Sequence, residues 1–379
     1  MTSVRLPFSA LVDDEIFAVD DTSAQLVVRT STAGESEIAV RVNGQPTTIA
    51  TNDGVGISTI DGLEPDRSFR VEVLAEDGRV RAVLNGRTLN RLENATKIAT
   101  ISDVHLGADE FGPATKIIDS GSVPYPMRCG QAAIAEALEW GAEALVIKGD
   151  LTDTGAREQW VMAETLLDDV AIPVMITSGN HDVWGTREVM PAEGASSIGR
   201  AVDDVEVLDI GHARIVLVDT SLPGKGSGDL SRHSARVLEA VEVDKPVLLF
   251  LHHHLQRTPF PWFWPPGIPP AKGMDVISAA VDRNPNMLVS SGHTHRNRRH
   301  QLADGRVTFT EVSATSDYPG VWAGYEIASG TIRQTVRRIA SPEATSWTEA
   351  TRAALGTAWP RWSQGRIDDR CVDVVQDPR

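Results

Sequence analysis

Cysteine is nearly absent: the 379 residues contain two, Cys129 and Cys371. Two thiols make neither a disulfide framework nor a four-thiolate metal site. Any metal must therefore be held by His, Asp, Glu or Asn, donors that suit Zn, Mn or Fe. Long apolar runs are missing as well; no stretch approaches the ~20 residues of a membrane helix. The start, MTSVRLPFSALVDDEIF, lacks the basic leading segment and unbroken apolar core of a secretory signal. These absences predict a cytoplasmic protein with no membrane contact. Basic residues are scarce: 36 Lys plus Arg stand against 52 Asp plus Glu, a formal charge of −16. Such a surface repels nucleic acid, which argues against a polymeric nucleic-acid partner. A small phosphorylated substrate remains open, because bound cations reverse the sign locally.

The hydrophobic and charged fractions, 41 % and 23 %, are those of ordinary globular proteins, and the length calls for more than one domain. Residues 1–92 read as short strands, QLVVRT, EIAVRV, SFRVEV and VRAVL. Asn-Gly at 43–44 and 85–86 and Asp-Gly at 53–54, 61–62 and 77–78 punctuate them as turns. The pattern predicts a small all-β sandwich. Its DGLEPDRSFRVEV stretch resembles a fibronectin type III strand and turn, with Phe69 as the corner aromatic. From residue 96 to 340 strands and helices alternate, which predicts a layered α/β domain with ligands beyond the carboxyl ends of its strands. SPEATSWTEATRAALG predicts a helix in a C-terminal extension, 341–379.

The buried strands end on chemically distinctive residues. TKIATIS leads to Asp103-Val104-His105, ALVIK to Gly149-Asp150, and PVMITS to Gly179-Asn180-His181-Asp182. VLLFL leads to His252-His253-His254, and NMLVSS to Gly292-His293-Thr294-His295. Seven of the ten histidines stand in these places, so a hydrogen-bonded core histidine, the usual reading of any one, fails as a joint explanation. In extended backbone, residues two apart point the same way, so Asp103 with His105, and His293 with His295, would each offer two donors. The glycines allow sharp turns and close approach. Four His, two Asp and one Asn exceed one tetrahedral site and suit two adjacent cations.

These five motifs, in this order, resemble the calcineurin-like metallophosphoesterases over residues 96–340, and most closely the bacterial cyclic-nucleotide and glycerophosphodiester phosphodiesterases. The resemblance implies a four-layer α-β-β-α sandwich and two metal ions (Mn, Fe or Zn). One would take Asp103, His105, Asp150 and His295; the other Asp150, Asn180, His252 and His293. It further implies hydrolysis of a small phosphodiester by a metal-bridging hydroxide, with His181 as the catalytic histidine that protonates the leaving group; Asp182, next to it in sequence, is placed to orient it or stabilise its charge. His252 is the expected ligand of the triple-histidine run, with His253 as the alternative and His254 lining the pocket. Purple acid phosphatases also place a β-sandwich before the metal domain, but their tyrosine ligand has no counterpart near Asp150. A phosphomonoesterase is the nearest alternative function; a non-catalytic scaffold is the other.

Other features are open. LQRTPFPWFWPPGIPPAKG, 255–273, is stiffened by proline and carries Phe260, Trp262, Phe263 and Trp264; it reads as a substrate wall, a homo-oligomer contact or local packing. The C-terminal extension is a second possible oligomer contact. Lys116 and Arg128, in the insertion at 107–129, reach either a phosphate or a salt-bridge partner. Asp153 closes a cap contact or a turn. Arg296, Arg298 and Arg299 offset the acidic surface near the pocket or form a solvated strand face. Ser316-Asp317-Tyr318 carries no chemical assignment.

Overall fold

A computed structural model describes residues 14–112, 116–184, 189–258, 264–328 and 330–375. The chain divides into two compact units: the described residues up to Arg91 with Ala340–Ser346, and Leu92–Ile339 with the residues from Trp347 onward. Among the described residues no helix is long and apolar enough to cross a membrane.

The N-terminal unit is one antiparallel seven-stranded sheet. Its order is Glu15–Val19, Ala24–Arg29, Val55–Ile60, Gln45–Asn52, Glu35–Val42, Ser68–Leu74, Val80–Arg87. The period of two is visible in Glu35–Val42, where Ile38, Val40 and Val42 are buried and the residues between them are not. Asn43-Gly44 and Asp53-Gly54 make two-residue hairpins with positive φ at both positions, as type I′ turns require. Asn85-Gly86 is a correction. It lies inside a strand, with Gly86 opposite Phe69, and a Cβ at Gly86 would collide with the Phe69 ring. That glycine is needed for the close approach of an aromatic rather than for a turn.

The second unit contains two six-stranded mixed sheets. The first has the order Val174–Thr177, Ala144–Lys148, Thr96–Ile101, Val321–Ala328, Thr331–Arg338, Cys371–Val375. The second has the order Val205–Ile210, Ala213–Val218, Val247–Leu251, Met287–Ser291, Val307–Glu311, Arg298–Leu302. The sheets face each other. Phe250 packs edge-on against Tyr325, and Thr310 Oγ1 donates to Gln334 Oε1 at 2.7 Å. Helices cover both outer faces. Tyr125–Glu139 lies on the first sheet beside Arg157–Leu167; Ser234–Val241 lies on the second beside Met274–Arg283. Strands covered on both faces are mostly apolar and buried along their length, as Val247–Leu251 and Met287–Ser291 are, with the polar Ser290 of the latter hydrogen-bonded to Lys148 and Tyr325. Val237, Val241 and Ile277 of the helices close the second core over Val216, Leu249 and Val289.

The helix Tyr125–Glu139 takes Pro126 in its first turn, where the missing N–H is one that the helix would not have used. The C-terminal extension does contain the helix Pro342–Thr351, but its tail is not an appendage: Cys371–Val375 pairs antiparallel with Thr331–Arg338 and completes the first sheet.

Candidate metal centre

The strands Thr96–Ile101, Ala144–Lys148 and Val174–Thr177 run parallel in one sheet, and Val247–Leu251 and Met287–Ser291 run parallel in the other. Their carboxyl ends bring the seven predicted ligands together. Asp103, His105 and His295 offer donor atoms within 4.8 Å of one another, and so do Asp103, Asp150 and His252. Asp150 Oδ2 is 3.2 Å from His252 Nε2 and 3.9 Å from His105 Nε2, so it stands between the two groups. Asn180 Oδ1 is 3.2 Å from the same His252 Nε2.

The way these side chains are aimed corrects the extended-backbone reading. Asp103, His105, Asp150, His293 and His295 all have φ between 49° and 69°. Left-handed backbone is uncommon outside glycine and costs roughly 1–3 kcal/mol where nothing supports it. Here hydrogen bonds support it: the N–H groups of Asp103 and His105 donate to the carbonyls of Gly149 and Asp150, and His293 N–H donates to the Asp103 carboxylate. Gly149 allows the close approach, since a Cβ there would meet the His252 ring.

Three of the four predicted histidine ligands are oriented by their other nitrogen. His252 Nδ1 donates to the Lys148 carbonyl at 2.8 Å, and His293 Nε2 donates to the Pro266 carbonyl at 3.0 Å. His295 Nδ1 lies 2.6 Å from Asp317 Oδ2. Lone pairs are thereby left facing inward. His252 Nε2, Asp150 and Asn180 Oδ1 turn acceptors on one another, an arrangement that only a cation or a proton resolves. His105 is buried, with Nδ1 3.3 Å from Asp153 Oδ1, while its Nε2 has no hydrogen-bond partner among the described residues. The donor set thus fits divalent cations held by nitrogen and oxygen.

The electrostatics sort the triple-histidine run. Burial lowers the His252 pKa, but Asp150 and Asp103 outweigh it and hold it at about 9. Burial pushes His253 well below the ordinary value and His254 down to about 4. His253 is fully buried, its Nδ1 2.9 Å from Thr220 Oγ1, and its ring packs 4.7 Å from that of His293. Its donor atom also lies within 4.8 Å of those of His252 and His293. His254 is buried and packs on His293 without lining the cavity.

His181 edges onto the His105 ring at 4.5 Å and lines the cavity. Its Nδ1 lies 3.0 Å from the Asp153 carbonyl and 3.5 Å from Asp153 Oδ1. Burial opposes its charge, but Asp150 and Asp153 hold its pKa up at about 9. The placement of Asp182 is a correction. Its carboxylate accepts from Thr152 N and Oγ1 and from Gly179 N at 2.7–2.8 Å, tying two loops together, so the acid beside His181 is Asp153.

Three contributors were missed. Asp317 follows a strand end like the others, which was its signal. Lys148, inside ALVIK, is fully buried and donates to Ser290 Oγ and the Ser291 carbonyl across the sheets. Burial pushes its ammonium down to about 7 against the pull of Asp103. Aromatic side chains also wall the cavity of about 750 Å³ over the centre: Phe111, Trp184, Trp264 and Trp359. Of the aromatic loop, Phe260, Trp262 and Phe263 lie outside the described residues. Lys116 lines the same cavity but pairs with Glu110 at 2.7 Å, and Arg128 pairs with Asp119 at 3.0 Å.

Facing mixed sheets with this donor set at their parallel strand ends define a metal-dependent phosphoric ester hydrolase. The calcineurin-like phosphoesterase family model matches residues 96–297, and the chain belongs to that family. It is 27 % identical over 226 residues to a probable cyclic nucleotide phosphodiesterase of Psychrobacter arcticus, covering 56 % of this chain and 79 % of that protein. It is 27 % identical over 173 residues to glycerophosphodiester phosphodiesterase GpdQ of Enterobacter lignolyticus, covering 40 % of this chain and 56 % of that protein. Among solved structures, a dimetal phosphatase from Danio rerio aligns with a TM-score of 0.46 at 14 % identity, over 64 % of this chain and 96 % of that one.

Proposed function

We propose that the chain is a dinuclear phosphodiesterase acting on a small diester of the cyclic-nucleotide or glycerophosphodiester type. The observation that carries this is Asp150, with donors of both predicted sets around it: His105 on one side, His252 and Asn180 on the other. Asp103, His105, Asp150 and His295 would hold one cation, and Asp150, Asn180, His252 and His293 the other. Cations there would lower the pKa of water and offset charge on the phosphoryl oxygens.

The rest is the work of the side chains. His181, with Nδ1 engaged by Asp153, keeps Nε2 to carry a proton to the leaving oxygen. Asp182 holds the loops of Thr152 and Gly179 in register beneath it. Phe111, Trp359, Trp184 and Trp264 offer apolar faces to the organic part of an ester and limit water around it. The similarity to cyclic nucleotide and glycerophosphodiester phosphodiesterases supports a diester.

The test is turnover of a bis-aryl phosphate against the mono-ester of the same phenol, after loading with Mn, Fe or Zn. The bis-ester is expected to be faster; a mono-ester preference of about tenfold or more overturns the assignment. Cyclic nucleotides and glycerophosphodiesters, assayed side by side, then resolve the substrate.

The N-terminal domain, 1–92, reads as fibronectin-like. Its seven antiparallel strands support that reading, and Gln45–Asn52 and Val55–Ile60 pair only at Asn52 and Val55, the place where one sheet could fold into two layers.

A further inference from the structure

A second cavity, of about 760 Å³, opens between the edge strand Arg298–Leu302 and the C-terminal segment around Trp362. Five arginines line it: Arg296, Arg298, Arg299, Arg361 and Arg366. It shares no lining residue with the cavity over the metal centre. Arg296 is committed elsewhere, held by Glu311 at 2.7 Å and stacked on the Trp362 ring at 4.3 Å. The other four are exposed, and among the described residues none of their guanidinium groups meets a carboxylate.

Elsewhere, in a chain with 52 acids for 36 bases, several arginines are paired closely: Arg81 with Asp14, Arg87 with Asp66, Arg128 with Asp119 and Arg214 with Asp209, all within 3.0 Å. The cleft does contain Asp368 and Asp369, but both oxygens of Asp369 are occupied by main chain, accepting from Arg299 N and Arg366 N. Four unpaired arginines against two aspartates leave the lining of this one concavity net positive, which favours an anion there.

We propose that this cleft is a second binding site, and that it takes a small molecule carrying several phosphates. Guanidinium groups recognise phosphate oxygens in pairs of parallel hydrogen bonds, and four of them exceed what one phosphate uses. The volume is that of a small-molecule pocket, about 300–1,000 Å³. A polymer running out of the cleft would meet the acidic surface of a chain of charge −16. The cleft also adjoins the metal centre: Trp362 Nε1 donates to the carbonyl of Thr294, the residue between His293 and His295.

The experiment is isothermal titration of inorganic triphosphate, and separately orthophosphate, into the metal-loaded full chain. One triphosphate per chain is expected, bound at least about tenfold more tightly than orthophosphate and weakening with salt. R361Q/R366Q on one wall and R298Q/R299Q on the other are each expected to weaken it about tenfold while leaving bis-ester turnover unchanged. Either pair serves if the other fails to fold. Unchanged affinity in both pairs would put the anion at the metal centre and overturn the proposal. So would triphosphate binding no tighter than orthophosphate, or equally tight capture of a short single-stranded DNA. None of these readouts requires the metal centre to be a diesterase.

Discussion

In the N-terminal unit the non-glycine residues with positive φ are Asn43, Asp53 and Asp66, and all three are exposed. In the second unit Ala303 and Asp304 adopt the same backbone in an ordinary hairpin. At the parallel strand ends, Asp103, His105, Asp150, His293 and His295 adopt it in the interior, each with a side chain that can bind a cation. At the turns the conformation reverses the chain, and the side chain only fastens the turn to neighbouring main chain, as Asn43 Oδ1 does by accepting from Arg70 N and Asp53 Oδ1 by accepting from Gly34 N. At the strand ends the chain continues, and the conformation swings neighbouring donors towards one point. The local backbone is the same in both places; only the surroundings show whether it serves the path of the chain or the aim of a side chain.

Substitutions can separate the two uses. The largest effect is expected for Asp150→Asn, which removes the carboxylate between the two donor groups: turnover should fall about 10³-fold or more, with metal content per chain reduced. Full turnover with full metal content would break the comparison at its centre. His181→Ala comes next. It should cost about 10²–10⁴ on esters with poor leaving groups and far less on activated aryl esters; equal losses would remove its proton-donating role.

Glu311 is a control, a buried carboxylate with no part in the centre. Burial opposes its ionisation, but His300 and Arg296 hold its pKa well below the carboxylate range. Its contribution is present above the unfolded value of about 4.5 and is lost as pH falls towards the folded one. Glu311→Gln should therefore cost about 3 kcal/mol near neutrality, and the gap to the parent should narrow below about pH 4.5. Urea unfolding across pH reads both; a gap that is constant down to pH 3 would contradict the ion pair. The smallest effect is expected at a turn. Asn43→Ala should cost about 1–2 kcal/mol and Asn43→Gly less, about 1 kcal/mol for the lost hydrogen bond from Arg70 N, with turnover unchanged in both. A turnover loss at Asn43 would show that the two uses are not separate.

The strand ends were legible because covered strands are mostly apolar and the polar donors interrupt them abruptly. The hairpins at Asn43-Gly44 and Asp53-Gly54 were legible because two-residue turns impose a local requirement. Asn85-Gly86 presents the same dipeptide, and only the ring of Phe69, sixteen residues earlier, reveals its use. The left-handed ligands were hidden for a similar reason: the carbonyls that support Asp103 and His105 belong to Gly149 and Asp150 on the next strand. Asp182 misled because adjacency in sequence says little about direction across a tight turn, and its oxygens find Thr152 instead of His181. Asp317 had the strand-end signal but no histidine beside it to mark its use, and Trp359 comes from a segment far from the motifs with no periodic signal of its own.

The strand Cys371–Val375 has a consequence for how the protein is made. Synthesis runs from the N-terminus, so the seven-stranded sheet has all its strands once Arg87 has emerged. The first sheet of the second unit has an open border along Thr331–Arg338 until its last strand leaves the ribosome. During that interval its unpaired N–H and carbonyl groups are available to any passing extended segment. A premature stop just before Cys371 would make that interval permanent, and such a chain should aggregate even with every cation-binding side chain intact.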